Sequence, residues 1–103
     1  MVSRGDVWWY EHPDAGRRPY LILSRTEACA VLNQVLAVPA TQTVRDIPTE
    51  VTLDKSDGMP ISCVLALDNL GLIRPALCTS LITQLSAQRM SEVCDALGHA
   101  VAC

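Results

Sequence analysis

Between Asp6 and Ile73 the apolar residues come in short β-rich runs parted by turn residues, and only beyond Ser86 does their spacing change. This alternation of brief runs and breaks constrains the fold more than any single motif. Residues 6–10, "DVWWY", read as a short strand, and "EHPDAGR" follows with Pro, Asp and Gly in turn positions. Residues 19–24, "PYLILS", suit a central strand, and "TEACAVLN" a helical turn or a loop. "QVLAVPAT" gives a third strand ending near Pro39. "PTEVTLD" (48–54) alternates with period two, setting Thr49, Val51 and Leu53 on one side and Glu50, Thr52 and Asp54 on the other. After the turn "KSDGMP", residues 61–73 form one long strand region interrupted by Asp68, Asn69 and Gly71. "ALCTSLITQL" allows a short helix or another strand.

Ser86 then stands as an N-cap, and Met90, Val93, Leu97 and Val101 follow at spacings of three and four. That pattern predicts an amphipathic helix of about 15 residues, weakened at its end by Gly98. Short strands closed off by one terminal helix predict a mainly β fold: a small β-barrel or a compact sheet under a helical cover.

Composition narrows the function. The chain has 103 residues, enough for a single domain with one core. Half are hydrophobic and 18% charged, which argues against disorder. No apolar run approaches the roughly 20 residues of a membrane span. The N-terminus meets Arg4 and Asp6 without the apolar core of a signal peptide, so a cytoplasmic protein is expected. The net charge of −3 does not suit a protein that coats nucleic acid, but it permits a local basic site. The five cysteines are never closer than nine residues, so no C-x-x-C pair exists. Cys29, Cys63, Cys78 and Cys94 are expected as buried reduced thiols, with Cys103 the most exposed. With only His12 and His99 beside them, no metal site is expected.

Polar residues that could carry chemistry cluster in two places. Arg17 and Arg18 precede Pro19, and an arginine fork matches the oxygens of a phosphate or carboxylate. Adjacent strand residues point to opposite faces, so at most one should serve a given pocket unless both lie in the loop. Composition alone favours a solvated pair. Thr41, Gln42, Thr43 and Arg45 in "ATQTVRD" carry the same ambiguity between surface residues and a site.

In order along the chain, "RGDVWW", "RRPYLILS", "VPATQT", "LDNLGLI" and the closing "QLSAQRMSEVCDAL" resemble the motifs of MazF/PemK toxins, the small endoribonucleases of toxin–antitoxin pairs. The resemblance covers nearly the whole chain. It implies an SH3-like β-barrel, a homodimer, a MazE-like antitoxin partner and cofactor-free, metal-independent cleavage of single-stranded RNA. The family's arginine before proline corresponds to Arg18 and its threonine to Thr41. Asp68 and Asn69 match an acidic-then-amide pair that lines the RNA site. The first loop is shortened, Gly71 stands where many relatives have a basic residue, and Thr83 where the family often has Gly.

In the mechanism so implied, the ribose 2′-OH attacks its own phosphate, giving a cyclic phosphate and a free 5′-OH. Arg18 stabilises the added charge but cannot act as a base, its pKa being ~12 or above. Thr41 binds a phosphoryl oxygen or orients the 2′-OH. The proton acceptor is His12, Asp68 or solvent. Arg17, Tyr10, Gln42, Thr43, Arg45 and Asn69 are expected to bind RNA. Trp8 and Trp9 read as core and dimer contacts, while Tyr10, beside the loop, is the one aromatic expected to stack a base. Two other classes stay open: a non-enzymatic, gyrase-poisoning toxin of the CcdB kind, and a degenerate member that only binds an antitoxin.

Overall fold

The computed structural model describes residues 1–14 and 16–102. Its strands are β1 (Asp6–His12), β2 (Gly16–Ile22), β3 (Val35–Thr41), β4 (Glu50–Leu53), β5 (Cys63–Ala66), β6 (Gly71–Ile73) and β7 (Cys78–Gln84). Helix α1 (Thr26–Cys29) is a single turn, and α2 (Ala87–Val101) is the terminal helix. All pairings are antiparallel and follow the order β4–β5–β3–β2–β1–β7. β3 serves two partners along the same edge: Ala40 and Thr41 pair with β5, while Val35, Leu36 and Ala37 pair with β6. The expected mainly β architecture with a terminal helix is therefore what the chain forms.

Residues 61–73 are not one strand. A 3-10 turn at Leu67–Asn69 separates β5 from β6, so the run follows β4 and β3 first and the far end of β3 second. The ambiguous "ALCTSLITQL" resolves as strand β7.

Both faces of the sheet are packed. Val7, Leu21, Val38, Leu53, Leu65 and Val93 belong to one core, which α2 covers with Val93 and Ala96. Met90 and Leu97 pack against it half-buried. Val93 alone, fully buried, contributes about 1.5–3 kcal/mol by the area it removes from water. Tyr10, Tyr20, Ile22, Val35, Ala37 and Ile73 form the second core on the opposite face. Helix α2 starts as its N-cap predicts: the Ser86 hydroxyl accepts from the Arg89 amide at 3.1 Å.

Strand β1 enters this frame through Asp6, a carboxylate only 6% exposed. Its oxygens accept from the Ser3 amide, the Trp8 indole and the Gln84 side-chain amide, so burial leaves it well supplied with donors.

The barrel is not closed by strand pairing: among the described residues no ladder joins β7 back to β4. Side chains close the seam instead. The Thr83 hydroxyl on β7 donates to the Asp57 carbonyl at 2.9 Å, in the turn that follows β4. Arg89 on α2 grips the Asp57 carboxylate of the same turn at 2.9 Å. The next residue, Gly58, has φ +92°, and a Cβ there would meet Thr83 Oγ1 at 2.4 Å. Only glycine suits both the backbone angle and the space.

Cys29 and Cys63 are buried and Cys78 is half-buried, each a free thiol. Cys94 departs from expectation: it sits exposed on α2, where the Arg4 guanidinium donates to its sulfur at 3.6 Å. Cys103 lies outside the described residues. No described helix is long and apolar enough to cross a membrane.

Candidate nucleic-acid interface

At the open end of the first core, a cleft of about 580 Å³ is walled by Trp9, Arg17, Arg18 and Pro19 from the β1–β2 hairpin. Ala40, Thr41, Gln42 and Thr43 from the end of β3 form a second wall, and Met59, Pro60, Ile61 and Cys63 a third. Each wall follows from the pairing. Trp9 stands opposite Pro19 on β2, so alternation puts Trp9, Arg17 and Pro19 on one face. β3 lies beside β2 and carries Thr41 to the same end of the sheet.

Both arginines border this cleft, although strand alternation allows only one. Arg17 reaches over Trp9, its guanidinium carbon 4.3 Å from the ring centroid. Arg18 comes from the other face, beside Tyr20. Burial pushes the Tyr20 phenol up in pKa, the Arg18 charge pulls it back down, and Tyr10 adds to the rise. Long side chains at a hairpin end reach the rim from either face. Among the described residues, neither Arg17 nor Arg18 has a carboxylate within ion-pair distance, and the carboxylate pairs belong to Arg89. The cleft therefore presents two uncompensated cations.

Thr41 is oriented for donation. Its Oγ1 accepts from the Thr43 amide at 3.2 Å, which leaves the hydroxyl proton available to a ligand oxygen. On the third wall, burial and then the Asp57 charge push the Cys63 thiol up in pKa, so this wall adds an uncharged sulfur among apolar groups.

Other expected site residues go elsewhere. Tyr10 is 4% exposed, its ring edge-on to Tyr20 at 5.0 Å and its hydroxyl accepting from the Arg74 amide. It is a core residue, because it shares the face of Trp8 and Tyr20, and it offers no face to a base. Trp9, read as core, is the aromatic that borders the cleft.

His12 does not line the cleft either. It ends β1 on the Tyr10 face, opposite Gly16, with Nδ1 accepting from the Asp14 amide at 3.0 Å. Asp68, Asn69 and Arg45 share a separate, smaller cleft of about 250 Å³ with Ile47, Thr49, Glu50 and Ala66. There the Thr49 hydroxyl donates to Asp68 at 2.6 Å, and Glu50 Oε1 accepts from the Arg45 and Asp46 amides. Those bonds fold the 42–49 loop back onto β4, which draws Arg45 out of the first cleft. The expected single pocket is thus two. Met59, Pro60 and Ile61 were legible only as a turn and a strand start, with no local signal of a site.

Among the described residues, no three His, Cys, Asp or Glu side chains gather into a metal-binding group.

Comparison with known proteins gives this arrangement its context. Residues 3–101 match the model of the PemK-like, MazF-like toxins of type II toxin–antitoxin systems. The chain is 37% identical to the probable endoribonuclease MazF5 of Mycobacterium tuberculosis, covering 100% of this chain and 95% of that one. It is 31% identical to the probable endoribonuclease MazF2 of the same species, covering 99% and 100%. Among solved structures, a mycobacterial endoribonuclease in complex with its cognate antitoxin superposes with a TM-score of 0.90 at 25% identity, over 99% of this chain and 96% of that one. The Mycobacterium tuberculosis toxin MazF-mt6 superposes with a TM-score of 0.87 at 29% identity, over 94% and 96%. The chain belongs to the PemK-like, MazF-like toxin family of type II toxin–antitoxin systems.

Proposed function

We propose that residues 1–103 act as one toxin domain, an endoribonuclease that cuts single-stranded RNA without a metal ion or other cofactor. The observation that carries this reading is the cleft lined by both the Thr41 hydroxyl and two guanidinium groups without a carboxylate partner among the described residues. The endoribonuclease names of its relatives support it.

In this reading a phosphate enters the cleft and the neighbouring 2′-OH attacks it. Arg18 donates to the phosphoryl oxygens as charge builds on them. Thr41 donates a hydrogen bond from its hydroxyl to one such oxygen and holds the group in line. Gln42 and Thr43 bind the strand at the lip. Neither His12 nor Asp68 borders the cleft, so the 2′-OH proton passes to solvent as the P–O5′ bond breaks, and the leaving 5′-oxygen takes a proton from solvent to become the 5′-OH. The second cleft, with Arg45 and Asn69, holds a more distant part of the strand.

The protein partners in this reading are a MazE-like antitoxin and a second copy of the chain. An acidic antitoxin tail competes with RNA for the same cations. Leu36 and Leu72, register partners on β3 and β6 that are 44% and 60% exposed, supply apolar surface for dimerisation. In this reading the chain works in the cytoplasm, where RNA and an antitoxin would both meet it.

The test is incubation of the purified chain with a labelled single-stranded RNA pool beside Arg18→Ala. Cleavage by the first and a loss of about 10²–10³ in rate for the second are expected. An intact pool, or equal rates, would refute the reading.

A further inference from the structure

Trp9 and Arg17 border the first cleft without a part in the attack on the phosphate itself. We propose that the Trp9–Arg17 stack is a nucleobase platform, on which an unpaired base of the RNA lies against the outer face of the Arg17 guanidinium. This rests on the endoribonuclease reading and adds to it the part of the substrate that sets position.

The stack is unusual in what it forgoes. Glu11 is the register partner of Arg17 across the hairpin, yet the two make no ion pair. The guanidinium lies over the indole instead, at 4.3 Å. Trp9 is half-buried and Arg17 exposed, so the guanidinium rests against the ring and stays accessible to a ligand in the cleft. Guanidinium planes are weakly hydrated, and stacking on them is a recognised way of holding a splayed-out base.

Three properties favour a base over a phosphate on that surface. The guanidinium is already held against the ring, so less side-chain freedom remains to be lost on binding. The same cleft offers apolar lining in Pro19, Met59, Pro60 and Ile61, the last 48% exposed. Arg18 and Thr41 already supply the donors that one phosphate group needs. A stacking surface of this kind tolerates any base but rewards ring area, so a purine is favoured over a pyrimidine.

The experiment is abasic scanning. Uncleavable 2′-O-methyl oligonucleotides, each with one abasic position, are titrated against the wild-type chain, Arg17→Lys and Trp9→Leu. Circular dichroism checks the fold, and Trp9→Phe is a conservative control. For the wild type, one position near the scissile phosphate should show a loss of about tenfold on base removal, the order expected for one stacked base. Arg17→Lys keeps the charge but not the plane, and should weaken binding of the intact oligonucleotide by a similar factor. It should not weaken the oligonucleotide abasic at that position any further, and Trp9→Phe should restore part of what Trp9→Leu loses. If Arg17→Lys weakens intact and abasic oligonucleotides alike at every position, the arginine contributes charge only and the platform is refuted. If the wild type binds none of them, the endoribonuclease reading falls as well. The two failures are therefore distinct.

Discussion

Replacing Gly58 with alanine tests how the sheet is closed. Gly58 has φ +92°, and the left-handed region costs an L-residue roughly 1–2 kcal/mol. The new Cβ would also lie 2.4 Å from Thr83 Oγ1 and 2.8 Å from Thr83 Cβ. The nearer atom is the hydroxyl that bonds the Asp57 carbonyl, so it cannot swing away without losing that bond. Overpacking of this kind typically costs about 1–3 kcal/mol. Gly58→Ala should therefore destabilise the chain by about 2–5 kcal/mol, the sum of the two terms. Thr83→Gly removes both clashing atoms, at its own cost of about 1 kcal/mol for the lost hydrogen bond and 0.5–1 kcal/mol for glycine in a strand. In the double variant only the backbone strain of Gly58→Ala remains, so the pair should couple by about 1–3 kcal/mol. Urea unfolding of the four proteins, followed by circular dichroism, measures that coupling. Strict additivity would mean that Thr83 does not press on the Gly58 turn, and the seam described here would be wrong.

Arg18→Lys should be nearly as inactive as Arg18→Ala in RNA cleavage, because a point charge does not reproduce a planar fork; near-wild-type rates would count against phosphate clamping. Thr41→Val removes the hydroxyl at almost constant shape and should lower the cleavage rate clearly but less than Arg18→Ala; an unchanged rate would remove Thr41 from the chemistry. Stability should fall as pH rises above about 9, because the half-buried Cys78 thiol, pushed up to about 11 by desolvation, keeps its proton in the fold while the unfolded chain releases it. Cys78→Ala should flatten that part of a stability–pH curve measured by thermal unfolding, and an unaltered slope would refute the assignment.

The strand runs and the terminal helix were legible because their periods differ and because Ser86 caps as its residue type dictates. The break within 61–73 was visible as Asp68, Asn69 and Gly71, yet its consequence was not. Only the tertiary pairing shows that β5 and β6 share an edge of β3. The aromatic residue was misjudged for a related reason. Period two separates Val7 and Trp9 from Trp8 and Tyr10, but each set meets a packed core at some point along the sheet. With both faces apolar, alternation cannot say which aromatic reaches the rim. Arg18 and Thr41, which border the first cleft, were singled out only through family motifs, while Arg45 lies at the second cleft because its amide and that of Asp46 donate to Glu50 at the start of β4, a loop closure that residue types alone do not signal.

The most direct test of the central claim is to incubate the antitoxin-free chain with a mixed RNA pool in excess EDTA and to map the chemistry of every cut end. Attack by the 2′-OH, assisted by Arg18 and Thr41, predicts undiminished cleavage with cyclic phosphate on one fragment and 5′-hydroxyl on the other. Loss of activity on chelation, or fragments bearing 5′-phosphate, would contradict it.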